Sequence, residues 1–332
     1  MTLLIRIIIF LTISIWTVGI TVYGEDTIQQ YTIPNEPLRA VVSPDNQQLY
    51  ILRAQEPQGV LLTMDLKSRR LTTHTVEVGR TPIAMAILAD KNEAYVVNHQ
   101  SDSISVIDLE AQDEIVTIPV GRNPIRLAIA PSGRYVYVSE HGSQGLSIIE
   151  TARKRVVKRI TVGERPRGIT LSADSRFAYV THQGASDMAV IDTAAQEVIK
   201  HIRVGDAPVD VDILPDGHSA LVTNYQSDDV SVVDLVTDRV LKTISVGKNP
   251  MEMALTPDGR MAYVINTGDK SVTVIDTRSF EVVKTISVPD VPRCTAMASN
   301  GQFVYITHHG ETNISVIDTM TNQLVEEYKA PL

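Results

Sequence analysis

Five of the eight histidines in this 332-residue chain sit at matching places. His99, His141, His182, His308 and His309 are each the third or fourth residue after a tyrosine, at Tyr95, Tyr137, Tyr179 and Tyr305. The same two positions elsewhere hold Asn98, Glu140, Gln183, Asn224, Tyr225, Asn266 and Thr267, with Arg53 and Ala54 at the first copy. His74, His201 and His218 fall outside the pattern and read as surface residues. Three chemistries suit such a group. Neutral imidazoles can ligate a transition metal or a haem iron. They can move protons near neutral pH. Protonated, they can hold an anion. None of the histidines shows the i, i+4 spacing of a helical zinc motif, so ligands would have to converge from separate loops. A flat, haem-sized ligand bridges such loops more readily than one small ion. Haem and a divalent metal are therefore the candidate cofactors.

A second group surrounds a recurring proline. Arg39, Arg80, Arg122, Arg126, Arg167 and Arg293, with Arg165, lie within two residues of Pro37, Pro82, Pro124, Pro166 or Pro292. Guanidinium forks suit carboxylates and phosphates, so this arc would fit a small anionic ligand. Asp210 and Glu252 occupy the equivalent place in other copies. The alternative for the whole set is compensating ion pairs around a water-filled hole.

What must position these residues is a repeat. The prolines Pro37, Pro82, Pro124, Pro166, Pro208, Pro250 and Pro292 are spaced 45 residues apart once and 42 residues apart five times. Each unit holds four short β-branched runs separated by turn residues, with no helical periodicity. A short first strand leads to turns such as Pro215-Asp216-Gly217 and Pro257-Asp258-Gly259. There Pro presets φ, Asp bonds its own backbone and Gly accepts a positive φ. Second strands follow, such as Tyr263 to Asn266, then third strands such as Thr273 to Asp276. Units of this size with four strands are propeller blades. The fold expected is all-β: a seven-bladed β-propeller with four-stranded blades of about 42 residues. Its fourth-to-first and second-to-third loops share one mouth of the central channel, where the His and Arg sets would meet. The Asp that closes Ser-Val-Ile-Asp recurs in nearly every unit, so it reads as a turn residue rather than a catalytic ring. Thr27–Ile33 and Leu324–Ala330 both fit a fourth strand. One of them must complete the last blade, and the other is expected beside or over it.

Bulk properties exclude several classes. A net charge of -9 argues against nucleic acid as a partner. One cysteine, Cys294, leaves no disulfide, no CxxC knuckle and no covalent haem motif. No phosphate loop, Gly-x-Ser-x-Gly, His-Glu-x-x-His or EF-hand is present. Residues 1–24 read as a signal peptide: Arg6, an apolar run from Ile7 to Val22, then small residues before Glu25. The propeller is then expected over 25–332, periplasmic or secreted, with no membrane span after cleavage. The competing reading of the leader is an uncleaved anchor.

Tyr-Val-Thr-Asn-like strands, Ser-Val-Ile-Asp-Thr and Val-Gly-x-x-Pro at this spacing resemble the YVTN-repeat β-propellers of the YncE-like group. The resemblance spans the whole mature chain. Members and relatives of that superfamily include periplasmic and surface binding proteins, a DNA-binding periplasmic protein, lactonases, quinoprotein subunits and the d1-haem domain of nitrite reductases. The resemblance therefore implies an exported binding or scaffold protein, with a protein partner or ligand at the loop face around the channel. It equally admits a haem- or tetrapyrrole-handling propeller, or a lactonase-like hydrolase. Single-stranded DNA binding would need stacking aromatics beside basic residues, and Tyr225 is the clear aromatic among the mouth positions.

Overall fold

A strand covered on both faces has no solvent side to alternate toward, so it reads as an unbroken apolar run. Ala94 to Val97 is such a run, and each of its residues is fully buried. In the computed structural model it belongs to the second strand of blade two, Glu93–Asn98, which pairs with Pro82–Leu88 on one side and Ser103–Asp108 on the other. Outermost strands have one covered side and alternate accordingly, as Asp113–Pro119 does. The structure describes residues 17–22, 29–34, 37–54, 57–68, 70–289, 291–308 and 314–328. His309 lies outside these residues, as does most of the expected signal peptide.

Seven antiparallel four-stranded sheets follow one another along the chain, each built from consecutive strands. Blade one runs from Pro37–Val42 to Arg70–Val78, and blade seven from Pro292–Met297 to Gln323–Tyr328. Every repeat proline opens a first strand. The ambiguous last strand is resolved: Gln323–Tyr328 completes blade seven. Gln29–Pro34 instead pairs with Thr17–Val22 in a separate two-stranded ribbon that lies beside Gln323–Tyr328. Among the described residues no helix is long and apolar enough to cross a membrane.

The apolar clusters lie between blades rather than inside them. Tyr95, Val97, Ile104 and Val106 of blade two pack against Val136, Val138 and Ile149 of blade three. Full burial of each such side chain is worth about 1.5–3 kcal/mol. The ring closes the same way, with Ile314 of blade seven packed among Ala40, Leu49 and Ile51 of blade one. On the turn face Ser299 donates its backbone N–H to Asn46 Oδ1 (2.9 Å) and its hydroxyl to the Pro44 carbonyl (3.1 Å), joining blades seven and one.

The repeated motif residues build the blade. Oδ1 of Asp108, Asp192, Asp234, Asp276 and Asp318 accepts the backbone N–H groups two and three residues on, at 2.8–3.1 Å. Hydrogen bonds from the following turn hold Asp234, Asp276 and Asp318 below the usual carboxylate range. The next residue ties this turn to the first one: Thr151 donates to the Gly133 carbonyl (2.8 Å) and Thr193 to that of Ser175 (2.6 Å). The glycine of Val-Gly-x-x-Pro exists for close approach. A Cβ at Gly247 would stand 2.7 Å from the Asn266 amide carbon, and one at Gly79 2.6 Å from that of Asn98. Gly247→Ala should therefore lower unfolding stability by about 1–3 kcal/mol through overpacking. Urea denaturation checks this, and an unchanged midpoint would contradict the close approach.

Candidate functional site

The two positions after the second-strand tyrosine have different fates, because successive strand residues point to opposite sides. The third residue turns into its own blade and acts as a polar post between the second and third strands. Asn98 Nδ2 donates to Ser103 Oγ (3.2 Å) and Ser105 Oγ (2.9 Å). Asn224 Nδ2 donates to Asp229 Oδ1 (2.6 Å) and Ser231 Oγ (2.9 Å), and Asn266 repeats the pattern with Ser271 and Thr273. Glu140 accepts from Gly121 N–H (2.8 Å) and from the Ser147 hydroxyl. His182 and His308 hold this same position, at 1% and 0% exposure. His308 Nε2 shares a hydrogen bond with Ser315 Oγ (2.9 Å). The expectation that these two histidines line the mouth is thus corrected: both are sealed inside their blades.

The fourth residue faces the mouth. His99, His141, Gln183, Tyr225 and Thr267 are all half-buried there. His99 Nδ1–H donates to the carbonyl of Pro124 in the next blade (3.0 Å), and Thr267 Oγ1 does the same to Pro292 (2.9 Å). His141 Nε2 accepts from Arg165 Nε (3.0 Å). Burial first, then the charges of Arg165 and Arg167, push the His141 pKa down to about 4. Its imidazole is therefore neutral at pH 7. Arg167 reaches from blade four across to blade six: one guanidinium nitrogen donates to Gln183 Oε1 (3.2 Å) and the other lies 3.7 Å from Met251 Sδ. Burial and then the neighbouring Arg293 charge lower its pKa. Among the described residues Arg165, Arg167 and Arg293 form no ion pair. Arg80 and Arg122 stand exposed. The Arg80 guanidinium bonds the Gln100 carbonyl (3.3 Å), and the Arg122 backbone N–H bonds Ser143 Oγ (2.5 Å).

Below the mouth the inner strands place Arg39, Arg126, Asp210, Glu252 and Cys294 around one narrow channel. Both Arg39 (2.7 Å) and Arg126 bond the same Glu252 oxygen, Oε1. Oε2 of that carboxylate accepts the Thr295 N–H (3.4 Å). Arg126 is largely buried there, with 15% of its side chain exposed. Burial and then Arg39 lower its pKa, and a guanidinium stays charged regardless. Asp210 accepts the Met253 N–H (3.0 Å). Cys294 Sγ donates to the Leu38 carbonyl (3.3 Å). Asp212 was not anticipated from sequence, although it shares a strand face with Asp210 two residues earlier. Burial, then the Asp210 charge, raise its pKa well above the usual carboxylate range. The compensating ion pairs therefore describe the deep channel, while Arg80, Arg122, Arg165, Arg167 and Arg293 form no ion pair among the described residues.

Removing one partner of a buried pair strands the other charge. Glu252→Gln leaves Arg39 and Arg126 uncompensated and should cost about 3–5 kcal/mol of unfolding free energy. Chemical denaturation measures it. A loss no larger than that of an ordinary surface substitution, about 0.5 kcal/mol, would contradict the pairing.

A family model described as "YNCE-like beta-propeller" matches residues 65–174 and 171–330. No curated protein matches the sequence. Among solved structures the chain is similar to Kuenenia stuttgartiensis hydrazine synthase, at 23% identity and a TM-score of 0.74, covering 85% of this chain and 95% of that one. It is similar to a functionally unknown protein from Desulfotomaculum acetoxidans, at 20% identity and a TM-score of 0.64, covering 71% and 79%. A third likeness is to the dihydro-heme d1 dehydrogenase NirN in complex with DHE, at 17% identity and a TM-score of 0.70, covering 94% and 73%. Identities this low speak for the shared fold alone. The fold, the repeat and the family match over most of the length agree: the chain belongs to the YncE-like β-propeller family.

Proposed function

We propose that this protein is an exported, non-catalytic binding protein that holds a small polyanion at the mouth of its channel. The observation that carries the reading is the division of the arginines. Arg39 and Arg126 share the Glu252 carboxylate at depth, with Asp210 close to both. Arg165, Arg167 and Arg293 remain without a carboxylate partner among the described residues, beside His99, His141 and Gln183. A guanidinium left without a carboxylate in a partly dehydrated cleft gains most from a carboxylate or phosphate supplied from outside. The binding role is favoured over a hydrolase because the mouth groups are donors and a neutral imidazole, with no nucleophile held against a base. Export rests on the leader around Arg6 and Ile7–Val22.

A second reading narrows the ligand to a carboxylate-bearing tetrapyrrole. It is favoured by the neutral His141 beside the arginines, since a neutral imidazole suits haem iron. One protein of like fold is the dihydro-heme d1 dehydrogenase NirN, in complex with DHE.

Calorimetric titration with citrate tests the first reading, and a visible spectrum with added haemin separates the second. Citrate should bind one per chain, and Arg167→Ala and Arg293→Ala should each weaken it about tenfold or more, the worth of a charged hydrogen bond. Absence of citrate and phosphate binding, or equal affinity in both variants, would overturn the polyanion site. A haemin Soret shift lost in His141→Ala would select the tetrapyrrole.

A further inference from the structure

Blade four departs from its siblings at its polar post. In blades two, three, five, six and seven, the residue seven positions after the post supplies a hydroxyl: Ser105, Ser147, Ser231, Thr273 and Ser315 all bond the post side chain. In blade four that residue is Ala189. His308 in blade seven gives its Nε2 to such a hydroxyl, whereas His182 Nε2 is buried with no hydrogen-bond partner. The blade therefore holds His182 through Nδ1 alone, by Asp187 at the place Asp229 takes beside Asn224. Sibling posts likewise leave one buried atom without a partner, Oδ1 of Asn98, Asn224 and Asn266, so what sets blade four apart is an imidazole, not an amide, held on this carboxylate.

The same blade adds what the others lack. Across from Ala189 on the fourth strand stands His201, where the equivalent pairings place Thr117, Arg159, Thr243, Thr285 and Glu327. Asp187 lies between the two imidazoles. Its Oδ1 is 2.6 Å from His182 Nδ1 and 3.5 Å from His201 Nδ1, and the two rings are 5.5 Å apart. One ligand atom from each of the three residues falls within 4.8 Å of the other two. Bonds of about 2.0–2.1 Å at tetrahedral angles separate ligand atoms by about 3.3 Å. The His201–Asp187 spacing of 3.5 Å is close to that value, and the His182–Asp187 spacing of 2.6 Å reaches it when the half-buried carboxylate gives way by about 0.7 Å.

We propose that His182, Asp187 and His201 form a site for a divalent transition metal of the zinc type. Two imidazoles and one carboxylate select such ions over magnesium or calcium, which take oxygen ligands. Coordination through Nδ1 places the imidazole proton on Nε2, so His182 acts as a neutral ligand and its hydrogen bond to Asp187 gives way to the ion. His182 is the fixed, buried ligand, while Asp187 and His201, with 30% and 44% of their side chains exposed, close on the ion from the solvent side. Three protein ligands leave the fourth position to water or to an exogenous donor. The site adjoins the mouth through Gln183, the residue after His182, which holds Arg167. It does not depend on the polyanion reading.

The test is a titration of the full chain, stripped with chelator, using Zn2+ for affinity and Co2+ for its visible spectrum. The expected result is one Zn2+ per chain, a tetrahedral Co2+ spectrum and a raised melting temperature on binding. His201→Asn and Asp187→Asn should each weaken Zn2+ by about 100-fold or more, beyond the 10–100-fold typical of outer-shell changes. His201 is exposed and Asp187→Asn keeps an acceptor for His182, so both variants should melt like the metal-free parent. Absence of stoichiometric binding, or binding left unchanged by both substitutions, would overturn the site.

Discussion

One carboxylate governs the centre of the ring. Arranging seven inner strands about an axis brings their second side chains into a channel too narrow to hydrate them freely. Two of those side chains are arginines, Arg39 and Arg126, and Glu252 Oε1 receives both. An unpaired guanidinium at this depth would be costly. The acidic side of the channel shares the load. Asp210 takes a backbone N–H of blade six, and Asp212 answers its burial by holding its proton more tightly. At the mouth, Arg165, Arg167 and Arg293 have no carboxylate partner among the described residues.

Blade architecture was legible because its physics is local and repeats. The proline spacing, the Asp and Thr of the turns and the β-branched runs each recur in nearly every unit, and each performs the same bond wherever it recurs. The last strand was ambiguous because Thr27–Ile33 and Leu324–Ala330 carry the same pattern. Only the pairing of Gln323–Tyr328 with Ile314–Asp318 decides between them.

The site was half legible. Grouping five histidines by their distance from a tyrosine merged two rows that a strand separates. Period-2 alternation was the signal that could have divided them: His99 and His141 lie one residue past His182 and His308 in register, on the opposite side. Asp212 follows from the same rule applied to Asp210. His201 reads as a surface residue and is exposed; what no one segment writes is the cross-strand register that brings His182 and Asp187 beside it. The exchange of a hydroxyl for Ala189 in blade four was a visible departure from the repeat. Its meaning required knowing that the hydroxyl serves the post.

The account rests on the claim that the deep arginines are occupied and the mouth arginines are free for ligand. The most direct measurement is an NMR titration that follows the arginine Nε–Hε resonances as citrate is added. Shifts at Arg165, Arg167 and Arg293, with Arg39 and Arg126 held still by Glu252, are what the account predicts. Movement of Arg39 and Arg126 while the mouth arginines stay unchanged would contradict it.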